Sequence, residues 1–192
     1  MMRIVTGSAK GKKLVSLEGD ATRPTSERIK EAIFSSIQFD VEGRRVLDLF
    51  AGSGQMGLEA LSRGAAKATF IDLSREAMEI VKTNCRTTGF FDASHFLVSD
   101  WRNYIRKASG REQFDLVFVD PPYAMKCCAD AASDLAEKEL IIPGAIVVLE
   151  SGEEEINLDD PRLLGYRAIK STHYGKKTFV NILFYEGREA CE

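Results

Sequence analysis

Val46-Leu47-Asp48-Leu49-Phe50-Ala51-Gly52-Ser53-Gly54-Gln55-Met56-Gly57 decides the fold. An apolar run, a glycine-rich turn and a helical stretch through Leu58, Ala60 and Leu61 follow one another, and Gly64 ends the helix. Working outward, residues 46–50 read as a strand, and further strands follow at 68–71, 96–98, 114–119 and 145–149. Between them lie helices: one capped by Ser74 and running to Thr88, one over 101–107 and one over 125–139. The tail gives two more strands, 166–171 and 178–185, joined at Gly175 as a closing hairpin. Strands alternating with helices at this spacing predict an α/β chain with a doubly wound parallel sheet.

Ligands bind such sheets at the carboxyl ends of the strands, and four successive strands end on an acid: Asp48, Asp72, Asp100 and Asp120. Gly52-Ser53-Gly54-Gln55-Met56-Gly57 also satisfies the G-x-G-x-x-G dinucleotide pattern, with Asp72 placed 20 residues after Gly52 to take ribose hydroxyls. Asp48 inside the first strand's end favours a cofactor that carries a sulfonium and an ammonium group, whereas it does little for a pyrophosphate. Asp100, after Ser99, is placed to accept from an adenine amino group. Taken singly, Gly52 and Gly54 also suit an empty tight turn, and Asp72 and Asp100 also suit helix N-caps.

Asp120-Pro121-Pro122-Tyr123 follows the apolar run Phe114-Asp115-Leu116-Val117-Phe118-Val119. Two prolines cannot continue a ladder or open an ordinary helix, so they set an extended turn at the strand's end. There the Asp120 carboxylate and the Pro121 carbonyl can each accept one N–H of an exocyclic amine, and Tyr123 offers a face for an unpaired base. Such stacking contributes about 1–3 kcal/mol per base.

The bulk properties are those of one soluble domain: 192 residues, 44% hydrophobic, 29% charged, net charge −3. No charged-then-apolar leader or apolar stretch of about 18 residues appears. Cys85, Cys127, Cys128 and Cys191 match no zinc spacing and read as reduced thiols of a cytoplasmic protein, with no metal expected. Residues 1–30 hold seven cations (Arg3, Lys10, Lys12, Lys13, Arg23, Arg28, Lys30) against three anions, a local +4, while residues 150–160 hold six acids and no base. Either these are two solvated surfaces, or the first is a basic arm that meets phosphate. Residues 1–20 read as a small β element, and Thr25 or Ser26 caps a helix with Ile29, Ile33, Phe34 and Ile37 on one stripe. Trp101 reads as a core anchor at a helix start, and His173 as a surface residue of the hairpin.

The Asp-Pro-Pro-Tyr turn resembles the Asn/Asp-Pro-Pro-aromatic signature of methyltransferases that act on adenine, cytosine or guanine amino groups. The chain as a whole resembles the bacterial small-subunit rRNA guanine-N2 methyltransferase family usually called RsmD. The likeness rests on Arg3-Ile4-Val5-Thr6-Gly7, Thr22-Arg23-Pro24-Thr25 with Arg28, and residues 48–54. It continues through Gly57-Leu58-Glu59-Ala60-Leu61-Ser62-Arg63-Gly64-Ala65, Asp72, residues 120–123 and the terminal strands. Gln55-Met56 and the basic Tyr174-Gly175-Lys176-Lys177 loop depart from it.

The resemblance implies a seven-stranded class I (Rossmann-like) fold with a C-terminal antiparallel hairpin and a small N-terminal extension. Residues 1–40 would form an RNA-contacting extension and 41–192 the methyltransferase domain. S-adenosyl-L-methionine would be held by Asp48, Phe50, Ala51, Gly52, Ser53, Gly54, Asp72, Leu73, Ser99, Asp100 and Asp120. Asp120, Pro121, Pro122 and Tyr123 would be catalytic. Arg3, Lys10, Lys12, Lys13, Arg23, Thr25 and Arg28 would meet rRNA in an assembling ribosomal particle, with Tyr123 on the base. Competing accounts are a DNA adenine-N6 methyltransferase, an NAD-dependent oxidoreductase on the glycine pattern, and a non-catalytic RNA-binding module.

Overall fold

The computed structural model describes residues 2–16, 27–152, 156, 157, 159–175 and 178–187. The chain divides into two compact units, Met1–Trp101 and Arg102–Glu192.

In the first unit, α1 (Glu27–Ser36) buries Ile29, Ile33 and Phe34, the stripe its spacing predicts. Three parallel strands follow, β1 (Arg45–Asp48), β2 (Lys67–Asp72) and β3 (Ser94–Val98), in the order β3-β2-β1. Parallel neighbours need crossovers, and α2 (Gln55–Ser62) and α3 (Arg75–Thr88) supply them. Helix α3 is closed at both ends: Ser74 Oγ accepts the Ala77 N–H at 3.2 Å, and Gly89 turns left-handed at φ 88°. Strand β1 is shorter than expected. Past Asp48 the chain turns so that the Ala51 N–H donates to the Ile71 carbonyl at 2.9 Å, which takes Leu49 and Phe50 out of the ladder.

Among the described residues the N-terminal β element reduces to one antiparallel bridge, Arg3 to Lys13. It goes no further because the next donors are taken elsewhere: the Val5 and Thr6 N–H groups bond Glu59 Oε2 and Oε1 at 2.8 and 3.0 Å. Helix α2 is buried along its whole length.

The second unit holds β4 (Phe114–Val119), α5 (Cys128–Glu137), β5 (Ile141–Ser151), β6 (Tyr166–Tyr174) and β7 (Thr178–Tyr185), after α4 (Trp101–Ala108), which opens on the last residue of the first unit. β4 and β5 are parallel, β5 and β7 antiparallel, β7 and β6 antiparallel, in the order β4-β5-β7-β6. The closing hairpin therefore lays its second strand against β5 and leaves β6 largely exposed. Helix α5 starts three residues later than its pattern predicts. Pro122 holds the chain extended, Tyr123–Met125 closes a single 3₁₀ turn, and Lys126 takes φ 46° before the helix can begin. Strand β5 starts four residues early, with its register slipping between the Phe114↔Ile141 and Leu116↔Ile146 pairs. Pro143-Gly144 sits in that slip, where a residue without an N–H costs no ladder bond. Seven strands with alternating helices and an antiparallel end are the mixed α/β class the sequence calls for.

Candidate active site

The first unit gathers a cradle at the carboxyl ends of its strands. Asp48 is 3% exposed, and its Oδ2 accepts the Gly57 N–H at 3.0 Å. Gly57 lies in the first turn of α2, so Asp48 caps that helix from a distance and faces its positive end. Burial above all, helped by the charge of Asp72 and opposed by the Gly57 bond, pushes the Asp48 carboxyl up to about 7.

Asp72 Oδ2 accepts the Gly52 N–H at 2.9 Å, and Oδ1 accepts the Ser74 N–H at 2.8 Å. Its own carbonyl takes the Ser99 N–H at 2.9 Å. Asp72 thus fastens the glycine turn, the β2 end and the β3 end to one residue. Gly52 and Gly54 adopt φ 53° and 78°, which a side-chain-bearing residue avoids. Phe50 packs on Trp101 with ring centroids 6.2 Å apart, and Trp101 is buried as an anchor. Leu73 is 73% exposed, an apolar surface open at this end of β2. Ser99 and Asp100 are half-buried, and Ser99 Oγ donates to the Asp100 carbonyl at 3.0 Å. The N-cap of α3 is Ser74, so Asp72 is free of the capping role that its position also allowed.

Protonation of Asp48 has a consequence for stability. Its folded pKa of about 7 lies above the unfolded value of about 3.9, so the folded state keeps a proton that the unfolded state releases. That contribution is complete below about pH 4 and is lost as the pH rises through about 7. Over that window stability falls by up to about 1.4 kcal/mol per pH unit from this group. Urea titrations of wild type and Asp48→Asn across pH 4 to 8 check it: wild type must lose stability relative to the variant as the pH rises, and parallel curves would rule it out.

Of the N-terminal cations, Lys10, Lys13 and Arg28 are exposed, and Arg3 pairs with Glu27. Lys12 Nζ donates to the Thr87 carbonyl at 2.9 Å and to that of Thr88 at 3.4 Å, at the negative end of α3. Lys30 is 1% exposed and not a surface cation at all. It donates to the Arg3 carbonyl and lies 3.6 Å from Glu59. Arg23 and Thr25 lie outside the described residues.

In the second unit, the turn after β4 has Asp120 half-buried, Pro121 buried and Pro122 exposed. The Met125 N–H closes on the Pro122 carbonyl at 2.8 Å. Tyr123 is fixed at both ends. Its hydroxyl donates to Glu150 Oε1 at 3.1 Å and lies 3.0 Å from Thr178 Oγ1, while its ring lies directly over Gly152. Burial first, with the charges of Glu150 and Asp120 adding to it, pushes the Tyr123 phenol up to about 12 against the Thr178 bond. Near neutral pH it stays protonated. A Cβ on Gly152 would come within 2.1 Å of Tyr123 Cδ2, so this glycine is the seat of the ring. Gly152→Ala must displace Tyr123. Overpacking of this kind costs about 1–3 kcal/mol, and a lowered urea unfolding midpoint for Gly152→Ala checks it. His173 is exposed and stacked on Phe179.

Glu59, Asn84, Glu150 and Thr178 were not singled out from sequence. Glu150 had a signal: it ends the apolar run of β5 as the four aspartates end theirs. Glu59 is a lone charge in an otherwise apolar helix, which is a weaker one.

The family model described as "Conserved hypothetical protein 95" matches residues 2–183. The Bacillus subtilis protein YlbH is 36% identical over 154 residues, covering 80% of this chain and 84% of that one. The ribosomal RNA small subunit methyltransferase D of Haemophilus influenzae is 32% identical, covering 80% of each chain. The solved structure of Escherichia coli yhhF superposes with TM-score 0.83 at 26% identity, over 97% of this chain and 99% of that one. The chain belongs to this family, that of the small-subunit ribosomal RNA methyltransferases D, and is a methyltransferase of the class I α/β fold.

Proposed function

We propose that the chain transfers one methyl group from S-adenosyl-L-methionine to the exocyclic N2 amine of a guanine in small-subunit ribosomal RNA, in the cytoplasm and within an assembling particle. The observation that carries the reading is the Asp120-Pro121-Pro122-Tyr123 turn, with its aromatic ring locked by Glu150, Thr178 and Gly152.

The chemistry of the cradle fits the cofactor. Asp48, buried and pushed up to about 7 chiefly by that burial, suits an ammonium or sulfonium. In this reading Asp48, Phe50, Ala51, Ser53 and the Gly52 and Gly54 turn hold the cofactor's amino-acid end. Asp72 and Leu73 take its ribose side, Ser99 and Asp100 its adenine, and Asp120 serves both cofactor and amine. When bound, the cofactor supplies an electrophilic methyl on a positively charged sulfur.

The protein's own part is orientation. The guanine N2 lone pair is delocalised into the ring and makes a poor nucleophile. Two acceptors, the Asp120 carboxylate and the Pro121 carbonyl, bond its two hydrogens and turn the lone pair out of conjugation, while Tyr123 holds the base by stacking. As the new bond forms, the amine becomes cationic. The Asp120 charge stabilises it, and the proton leaves to Asp120 or water. Arg3, Lys10, Lys12, Lys13, Arg23, Thr25 and Arg28 serve as the RNA-contacting set, Lys12 from its post at the end of α3.

Thermal unfolding tests the cofactor assignment. S-adenosylhomocysteine at 100 times its dissociation constant stabilises by about 2.7 kcal/mol, and NADH leaves the transition in place. Stabilisation by NADH instead would favour the oxidoreductase account. Labelled methyl is expected to pass to small-subunit particles or their RNA and not to duplex DNA.

A further inference from the structure

We propose that Asn84 is a positioning residue that makes the N-terminal arm part of the cofactor cradle; this rests on reading residues 52–54 as the cofactor loop. Asparagine is a poor helix former, yet Asn84 sits inside α3 and is 0% exposed. Its amide accounts for the placement. Oδ1 accepts the Val15 N–H at 2.8 Å, and Nδ2 donates to the Val15 carbonyl at 2.9 Å. The second Nδ2 hydrogen goes to the Ser53 carbonyl, also at 2.9 Å. One side chain therefore pairs with Val15 as a neighbouring strand would, and spends its remaining donor on the residue between Gly52 and Gly54.

The arm reaches the same loop a second time. Ser53 Oγ donates to Met2 Sδ at 3.0 Å. Ser53 is thus held through its carbonyl by Asn84, which also holds the arm's end, and through its hydroxyl by the arm's beginning. The arm itself is anchored in between: Ser62 Oγ donates to the Thr6 carbonyl at 2.6 Å and accepts the Ala9 N–H at 3.0 Å, and Glu59 takes the Val5 and Thr6 amides. The Leu14 N–H donates to the Met2 carbonyl at 3.0 Å, so Met2, Leu14-Val15, Asn84 and Ser53 form one closed ring. Its effect is to hold the glycine loop from the arm side, while Asp72 Oδ2 holds the Gly52 N–H from the other, in its ligand-ready shape. Losing the ring loosens the loop, and a ligand must then order it on binding.

The chain's single tryptophan, Trp101, packs on Phe50 of the same loop and gives a fluorescence signal for S-adenosylhomocysteine titrations. Asn84→Ala, confirmed as folded by circular dichroism, is expected to bind S-adenosylhomocysteine about tenfold more weakly than wild type, a loss of about one buried hydrogen bond. Thr88→Val is the control: it removes buried hydroxyl bonds to the Asn84 and Cys85 carbonyls one turn along the same helix, lowers the melting temperature, and leaves the affinity within twofold. Folded Asn84→Ala with wild-type affinity overturns the proposal.

A measurement on the wild type stands if the variant does not fold. Saturating S-adenosylhomocysteine should slow exchange of the Val15 amide together with that of Gly52, followed by NMR. Slowing at Gly52 with Val15 unchanged overturns the coupling alone. No slowing at either, with no fluorescence change, overturns the cofactor reading along with it.

Discussion

Asp120→Ala lowers the rate of methyl transfer by about 10²–10³-fold, the usual effect of removing one group aimed at developing charge. With cofactor saturating, the loss is expected in kcat, since Tyr123, the proposed base platform, and the cradle acids Asp48 and Asp72 are untouched. Asp120→Asn separates two roles for the carboxylate. Its amide oxygen still accepts one amine N–H, so an orienting role leaves activity within about tenfold of wild type, whereas an obligatory proton acceptor would make Asn as inactive as Ala. Single-turnover rates with saturating cofactor decide between them. Near-normal turnover by the alanine variant would remove the turn from the mechanism.

The largest effect on stability is expected at Glu59, 0% exposed on α2. Its carboxylate takes the Val5 and Thr6 amides, the Arg63 guanidinium at 2.9 Å and the Lys30 ammonium at 3.6 Å. Glu59→Ala takes the acceptor from two backbone donors and the counter-charge from a buried ammonium at once. Breaking a buried pair from one side costs about 3–5 kcal/mol. Burial already lowers the Lys30 pKa, with Glu59 as the main opposing influence, so the alanine variant should deprotonate Lys30 more readily. Removing both charges in Glu59→Gln/Lys30→Met recovers part of the loss, since the amide oxygen still meets the arm. Urea unfolding midpoints of the three proteins test this: a double variant less stable than Glu59→Ala would contradict it.

The strand-helix alternation from residue 44 onward was legible because apolar runs, glycine turns and a Ser cap coincide there. Boundaries failed where a distant partner claimed the backbone. Leu49 and Phe50 look like strand but turn away to serve Ala51 and Ile71. Val5 and Thr6 look like hairpin but bond a carboxylate more than fifty residues on. Residues 125–127 look helical, yet the double proline delays the start until Cys128.

The candidate site divides along the same line. Strand-end acids and the proline turn stand out in sequence because their chemistry is local. Lys30 read as one more cation of a basic arm, and only the fold brings it to Glu59. Gly152 and Asn84 carry no signal in isolation, because their roles consist in what Tyr123, Val15 and Ser53 do beside them.

Nucleoside analysis after methyl transfer from labelled S-adenosyl-L-methionine tests the central claim most directly, with small-subunit particles, their naked RNA and duplex DNA as acceptors. The account predicts N2-methylguanosine from the particle or its RNA and nothing from DNA. N6-methyladenine in DNA, or a methyl on any other atom of the RNA, would contradict it.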